Sequence, residues 1–275
     1  RSGGEFSSER VTPRRVGLKP RAAKPFHSVL LPKPLLPCVR SMSDEVKRIK
    51  VIDSHTAGEP TRVVVEGLPE FAGVPASPAD WRDFLCAQHD ALRTAVACEP
   101  RGHEAMVGAY LLEPTQPDCV AGVVFFNNVG YLHGCLHGTI GVTVTLAHLG
   151  RLSDGANKIE TPTGIVTVRP SEDGWVTVQN VRSWRHAAAV PVDVPGWGTV
   201  QGDVAWGGNW FYLIEAGDTI EVNFNNLDQL TDFTCAVRDA LEANGITGAE
   251  GGEIDHIEVF GPPVNPAADS KNFVL

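Results

Sequence analysis

The stretch N-N-V-G-Y-L-H-G-C-L-H-G-T-I-G, residues 127–141, decides how the rest of the chain is read. It follows an apolar, β-branched and aromatic run (Cys119, Val120, Val123, Val124, Phe125, Phe126) that predicts a buried strand. It leads into Thr139, Ile140, Val142, Val144, Leu146, Ala147 and Leu149, the pattern of a buried helix closed by Gly150. Cys135 and His137 are therefore expected in a glycine-flanked turn at a helix N-terminus. Unpaired backbone N–H groups and the positive end of the helix dipole favour an anion at such a place. The same field is expected to lower the Cys135 pKa and to make a thiolate available near neutral pH. A cysteine base beside a carboxylate cradle is the chemistry this spacing suggests. The competing reading is a buried cysteine that packs as a small hydrophobe.

Upstream, residues 46–53 alternate as a strand and residues 62–66 form another, with the polar, glycine- and proline-containing S-H-T-A-G-E-P-T turn between them. Ser77 and Pro78 open one amphipathic helix, with Trp81, Phe84, Leu85, Leu92, Ala95 and Val96 on its apolar face. Strands are expected at 106–112 and 119–126. Downstream, 158–162, 165–170 and 175–180 read as a meander, followed by strands at 200–206 and 210–215. A second amphipathic helix spans 227–244, a strand 254–260, and another strand begins at 272. Strands with a few long helices indicate an α/β (α+β) protein in two lobes, dividing near residue 165: 46–165, with the candidate cysteine, and 166–275.

Composition narrows the function classes. The formal net charge of −10 in 275 residues argues against a general nucleic-acid binder. No apolar run approaches the roughly 20 residues needed to span a bilayer. The six cysteines form no C-x-x-C pair, which favours a reducing, cytoplasmic setting. Charge is uneven: residues 1–41 carry nine Lys/Arg against two Asp/Glu, net +7, and the remainder 14 against 31, net −17. Residues 1–45 are expected to be a disordered basic leader, either an organelle-targeting segment or translated upstream sequence before Met42.

Other candidates are weaker. His133 and His137 have the i, i+4 spacing of a metal pair, but Gly134 argues against a helix there and no third ligand lies nearby, so no metal is expected. Glu99, Arg101 and His103 make a charged turn whose default is a solvated loop. Asp255-His256 stands out inside an apolar strand. The sequence contains no phosphate loop, nucleotide fingerprint or G-x-S-x-G elbow, so a cofactor-free mechanism is the simplest option.

Together the segments I-D-S-H-T-A-G-E-P-T-R (52–62), E-P-R-G-H (99–103), F-F-N-N-V-G-Y (125–131), C-L-H-G-T-I-G (135–141), I-E-T-P-T-G (159–164), G-D-V-A-W-G-G-N-W-F (202–211), I-D-H-I-E-V-F (254–260) and D-S-K-N-F-V-L (269–275) resemble the proline racemase family. Within it the chain is most similar to the bacterial 4-hydroxyproline 2-epimerases. The resemblance implies a two-lobed fold of the proline racemase and diaminopimelate epimerase type. Its site is a cleft between lobes, each offering a cysteine at a helix N-terminus, and its reaction inverts Cα of an imino acid without cofactor or metal.

By position, Cys135 falls on the first catalytic cysteine, Leu136 and His137 on a substrate-contacting pair, and His256 on a second substrate-contacting histidine. Leu136 stands where the family usually has glycine. If positive φ were required there, leucine would cost about 1–2 kcal/mol. The resemblance also implies a continuation past residue 275 carrying a second cysteine and an aspartate. The expectation is therefore an incomplete second lobe and a fragment inactive by itself. A small imino acid is the expected partner, with a homodimer as the assembly to test. Proline racemase, trans-3-hydroxyproline dehydratase and a non-catalytic imino-acid-binding pseudoenzyme are the alternative readings.

Overall fold

The hairpin β1 (Lys50–Thr56) and β2 (Glu59–Glu66) opens the fold of residues 48–68, 76–217 and 219–275, the portion described by the computed structural model. The polar stretch expected as a turn is mostly strand. Only Ala57 and Gly58 reverse the chain, both at positive φ (50° and 103°), as a two-residue hairpin loop demands. Helices α1 (Pro78–Gln88) and α2 (Asp90–Ala97) follow, then β3 (Val107–Leu112), β4 (Ala121–Phe126) and the short β5 (Tyr131–Leu132). Helix α3 (Leu136–His148) leads to β6 (Asn157–Thr161), β7 (Gly164–Pro170) and β8 (Val176–Gln179). The strands pair in the order β1-β2-β3-β4-β6-β7-β8, with β5 on β4. The parallel pairs β2/β3 and β4/β6 are bridged by α1–α2 and by α3, the crossover that parallel pairing requires.

This sheet is covered on both faces. Val63, Ala109, Val123 and Phe125 pack on Val142 and Leu146 of α3. Their chain neighbours Val64, Tyr110, Val124 and Phe126 pack on Leu85 of α1 and Val96 of α2. Successive strand residues point to opposite faces, so β4 is buried at every position and reads as a continuous apolar run. Helix α3 comes so close to β2 that a Cβ on Gly141 would lie 2.6 Å from Cβ of Thr61. Only glycine fits that contact.

The single helix expected from Ser77 onward is two. Ser77 caps α1 by accepting the Asp80 N–H, and the chain breaks at His89 (φ −135°, ψ 25°). Past the break, Asp90 pairs with Arg93, whose buried guanidinium donates to the carbonyls of Asn127 and Asn128. Docking onto that loop, which the apolar periodicity does not register, accompanies the change of direction.

The second sheet holds β9 (Trp184–Val194), β10 (Gly198–Trp206), β11 (Trp210–Glu215), β12 (His256–Gly261) and β13 (Lys271–Val274), in the order β13-β12-β11-β10-β9. Helix α4 (Leu227–Ala243) crosses between the parallel strands β11 and β12. Leu230, Phe233, Val237 and Leu241 of α4 join Val204, Tyr212, Ile214, Ile257 and Val259 in one core. Trp197 meets the buried Phe233 edge-on, with ring centroids 5.0 Å apart. Strand β9 is absent from the sequence reading because its alanine run and Pro191 weaken the signal. Its place at the edge of the sheet tolerates the proline.

The change of sheet falls between Gln179 and Trp184 rather than near residue 165. The T-P-T-G turn at 161–164 is a hairpin inside the first sheet, where Thr161 pairs with Gly164. Both sheets belong to one compact unit, Lys47–Leu275. The leader expected at 1–45 lies outside the described residues. Among the described residues no helix is long and apolar enough to cross a membrane.

Candidate active site

Strand β4 delivers the chain to a tight turn in which the Asn127 side-chain oxygen accepts the N–H groups of Val129 and Gly130, both at 2.8 Å. The chain then pairs back on β4 through Tyr131 and Leu132. The stretch 127–141 is thus a turn, a short strand, a two-residue loop (His133, Gly134) and the start of α3.

Cys135 is the N-cap of α3. Its backbone is extended (φ −153°, ψ 116°), and its Sγ accepts the Gly138 N–H at 3.4 Å. A cysteine thus occupies the place ordinarily taken by serine or aspartate. His137, two residues further, sets Nδ1 3.6 Å from that sulfur. The same Nδ1 lies 3.1 Å from Oε2 of Glu59, at the start of β2. Thr56, at the end of β1, donates to the His137 carbonyl at 3.2 Å. The hairpin and the helix start therefore share one cluster. Glu59 Oε2 faces Nδ1 of the imidazole, and Nε2 is buried with no hydrogen-bond partner.

The thiol differs from the sequence expectation. Burial pushes the Cys135 pKa up to about 11, the Gly138 N–H opposes this, and the Glu59 charge adds to it. Desolvation thus outweighs the Gly138 hydrogen bond and favours the thiol. Leu136 is the first residue of α3 and does not have positive φ, so the backbone cost contemplated for it does not arise. Its side chain is 54% exposed beside the sulfur.

Loop residue His133 contacts the Arg82 guanidinium of α1. Burial, and then the Arg82 charge, hold its pKa below the usual imidazole value, while Asp255 and Glu253 from the second sheet's side pull the other way. His256 opens β12, with Nδ1 2.9 Å from Asp255 and its ring 4.8 Å from that of Phe211. The structure therefore gathers Cys135, Leu136 and His137 in one cluster. Among the described residues no hydrogen bond joins His256 to that cluster.

Asn209, in the turn between β10 and β11, is 6% exposed and bonds across to the loop at His133 and Gly134. Neither Glu59 nor Asn209 is a candidate from sequence. Glu59 follows a two-residue turn that reads as an ordinary polar loop, and the only signal for Asn209 is a polar residue wedged between two glycines and an aromatic strand. The cluster at 99–103 serves the fold: Arg62, paired with Asp53, donates to the carbonyls of Val96 and Arg101. Among the described residues no group of three side chains is arranged to hold a metal. A cavity of about 520 Å³ on the second sheet is lined by Ala189, Gln201, Asp203, Leu213, Glu215 and Phe260, and none of the site residues lines it.

The sequence profile of the family described as proline racemase matches residues 51–275. The chain belongs to the proline racemase family. Among its relatives, the 4-hydroxyproline 2-epimerase of Chromohalobacter salexigens is 53% identical over 232 residues, covering 84% of this chain and 72% of the relative. The 4-hydroxyproline 2-epimerase of Xanthomonas campestris pv. campestris is 54% identical over 227 residues, covering 82% and 72%. Among solved structures, a probable proline racemase from Agrobacterium radiobacter superposes with a TM-score of 0.72 at 21% identity, covering 82% of this chain and 69% of that one. A hydroxyproline epimerase from Agrobacterium vitis, solved with bound trans-4-OH-L-proline, gives 0.72 at 18% identity with the same coverage. These likenesses establish the mixed α/β proline racemase fold for this family member.

Proposed function

We propose that this protein inverts the α-carbon of 4-hydroxyproline, between the trans-4-hydroxy-L and cis-4-hydroxy-D forms, with Cys135 moving a proton on one face of the ring. The observation that carries the reading is the 53% identity, over 84% of the chain, to a 4-hydroxyproline 2-epimerase. The geometry at the start of α3 supports a route. An amino-acid Cα–H is very weakly acidic, so the electron pair left behind needs the carboxylate as its sink and fixed donors around it. The Leu136 and His137 N–H groups lie in the first turn of α3, where a helix supplies no acceptor, and are available to that carboxylate.

With its proton on Nδ1, His137 offers the Nε2 lone pair to the N–H of the ring nitrogen. The cationic ring nitrogen also offsets the burial that keeps the thiol protonated, so the thiolate forms with substrate in place. Sγ, its own proton given up to solvent, then takes the Cα proton; the C–H electron pair moves into the carboxylate, and a proton taken from solvent on the opposite face completes the inversion. His256, beside Phe211, is the proposed contact from the second sheet.

The test is exchange in deuterium oxide with trans-4-hydroxy-L-proline, read by mass spectrometry together with polarimetry. Deuterium should enter at Cα, and Cys135→Ser should abolish it. Absence of label with the unaltered chain overturns the function. Label that persists in Cys135→Ser removes this sulfur from the route.

A further inference from the structure

We propose that Asn209 is a positioning residue for the thiol: its side-chain amide, reaching over from the second sheet, clamps the two residues before Cys135 and so fixes where Sγ sits. Oδ1 accepts the N–H groups of His133 and Gly134 at 3.1 and 3.2 Å, and Nδ2 donates to the Gly134 carbonyl at 2.8 Å. An asparagine in a tight turn ordinarily bonds its own backbone a residue or two on. Here every side-chain hydrogen bond of Asn209 goes to the loop, so its own turn gains nothing from them. That turn is held instead by its backbone, Gly207 N–H to Asn209 carbonyl at 3.1 Å, and by Asn180, which donates to the Gly207 carbonyl at 3.2 Å.

The two backbones also meet directly: a Cβ on Gly134 would lie 3.3 Å from the Gly208 carbonyl oxygen. With both N–H groups and the Gly134 carbonyl satisfied from outside, the loop has one position, and the N-cap follows from it. An error of about 1 Å in a reacting group costs on the order of a hundredfold in rate. One buried amide at this point is therefore worth more than its contribution to folding.

The inference rests on the reading of Cys135 as the proton-transferring group, but its test does not need substrate. Iodoacetamide labelling of the full chain, resolved by peptide across pH 7–11, follows Cys135 with Cys235 of α4 as an internal reference. The groups bearing on the thiol, Glu59 from the hairpin and His137 from its own helix, are not hydrogen-bonded to Asn209. In Asn209→Ala the freed loop admits water, so Cys135 should label at least about tenfold faster at pH 8, one pKa unit or more. The Cys235 rate should stay unchanged. Asn209→Asp keeps the size and both acceptor contacts but sets an oxygen against the Gly134 carbonyl, so the clamp is broken there too and Cys135 should again label faster, although an added negative charge alone would slow it.

Faster labelling in both variants, confined to Cys135, is the signature of positioning. Equal acceleration of Cys135 and Cys235 would mean general loosening and overturns the proposal. An unchanged or slowed Cys135 rate in the folded Asp variant overturns it also, even if the Ala variant does not fold. If labelling behaves as expected while the unaltered chain exchanges no Cα proton, the catalytic reading fails and the clamp stands.

Discussion

Glu59 Oε2 lies 3.1 Å from His137 Nδ1, and that same ring nitrogen lies 3.6 Å from the Cys135 sulfur. The carboxylate comes from a strand hairpin, the imidazole from a helix start. Through that nitrogen the carboxylate bears on both the imidazole and the thiol.

Glu59→Gln separates those two effects. Removing the charge that raises the Cys135 pKa should speed its alkylation at pH 8 several-fold. Cα exchange with trans-4-hydroxy-L-proline should slow by about tenfold, because a neutral amide holds the imidazole less firmly than the carboxylate does. Faster labelling with slower exchange is the expected pair of results.

The cap and the chemistry at residue 135 should also come apart. Serine is a good N-cap, so Cys135→Ser should leave the urea midpoint nearly unchanged while abolishing Cα exchange. Cys135→Ala removes the acceptor for the Gly138 N–H and should cost about 1 kcal/mol.

Alkaline stability carries a sign. Folding lifts Cys135 to about 11, so on raising the pH the unfolded chain gives up this proton first. The stability from this group is complete below the ordinary thiol pKa of about 8.5 and is lost as the pH climbs through about 11. Cys119, also lifted to about 11 by burial, adds the same trend. Urea midpoints at pH 8 and pH 10 should therefore fall less in Cys135→Ser than in the unaltered chain.

Gly141→Ala puts a methyl group into the helix–strand contact, where the nearest atom of Thr61 is 2.6 Å away. Overpacking of this kind costs about 1–3 kcal/mol, read as a lower urea midpoint at unchanged m-value. Because the contact holds the hairpin that carries Glu59, Cα exchange should fall as well.

Phe233→Ala empties the centre of the second core and should cost about 3–5 kcal/mol by the same denaturant measurement.

Much of this was legible in the sequence because it rests on local rules. The run 121–126 is apolar throughout because both faces of its sheet are covered, and the glycines at 138 and 141 mark a helix pressed against strands. Gly150 and Gly245, both at positive φ, end helices where the periodicity stops. What escaped depends on partners distant in the chain. Burial of Cys135 by its surroundings reversed the sign of its pKa shift. The break at His89 accompanies the docking of Arg93 on a loop some thirty residues on. Glu59 acts on a histidine 78 positions later, and Asn209 on a glycine 75 positions earlier; no periodicity records either. The resemblance to a family located Cys135, Leu136, His137 and His256, but not these two supports.

Sulfur, imidazole and carboxylate are all carried by the first sheet and its inner helix, locked together where Gly141 meets Thr61. Any breathing of one sheet against the other would thus transport the trio as a single passenger, its internal spacings intact. Among the described residues, the hydrogen bonds by which such a motion reaches the loop before the sulfur are those of the Asn209 amide. Opening the crevice and slackening the thiol's mooring would then be the same mechanical event.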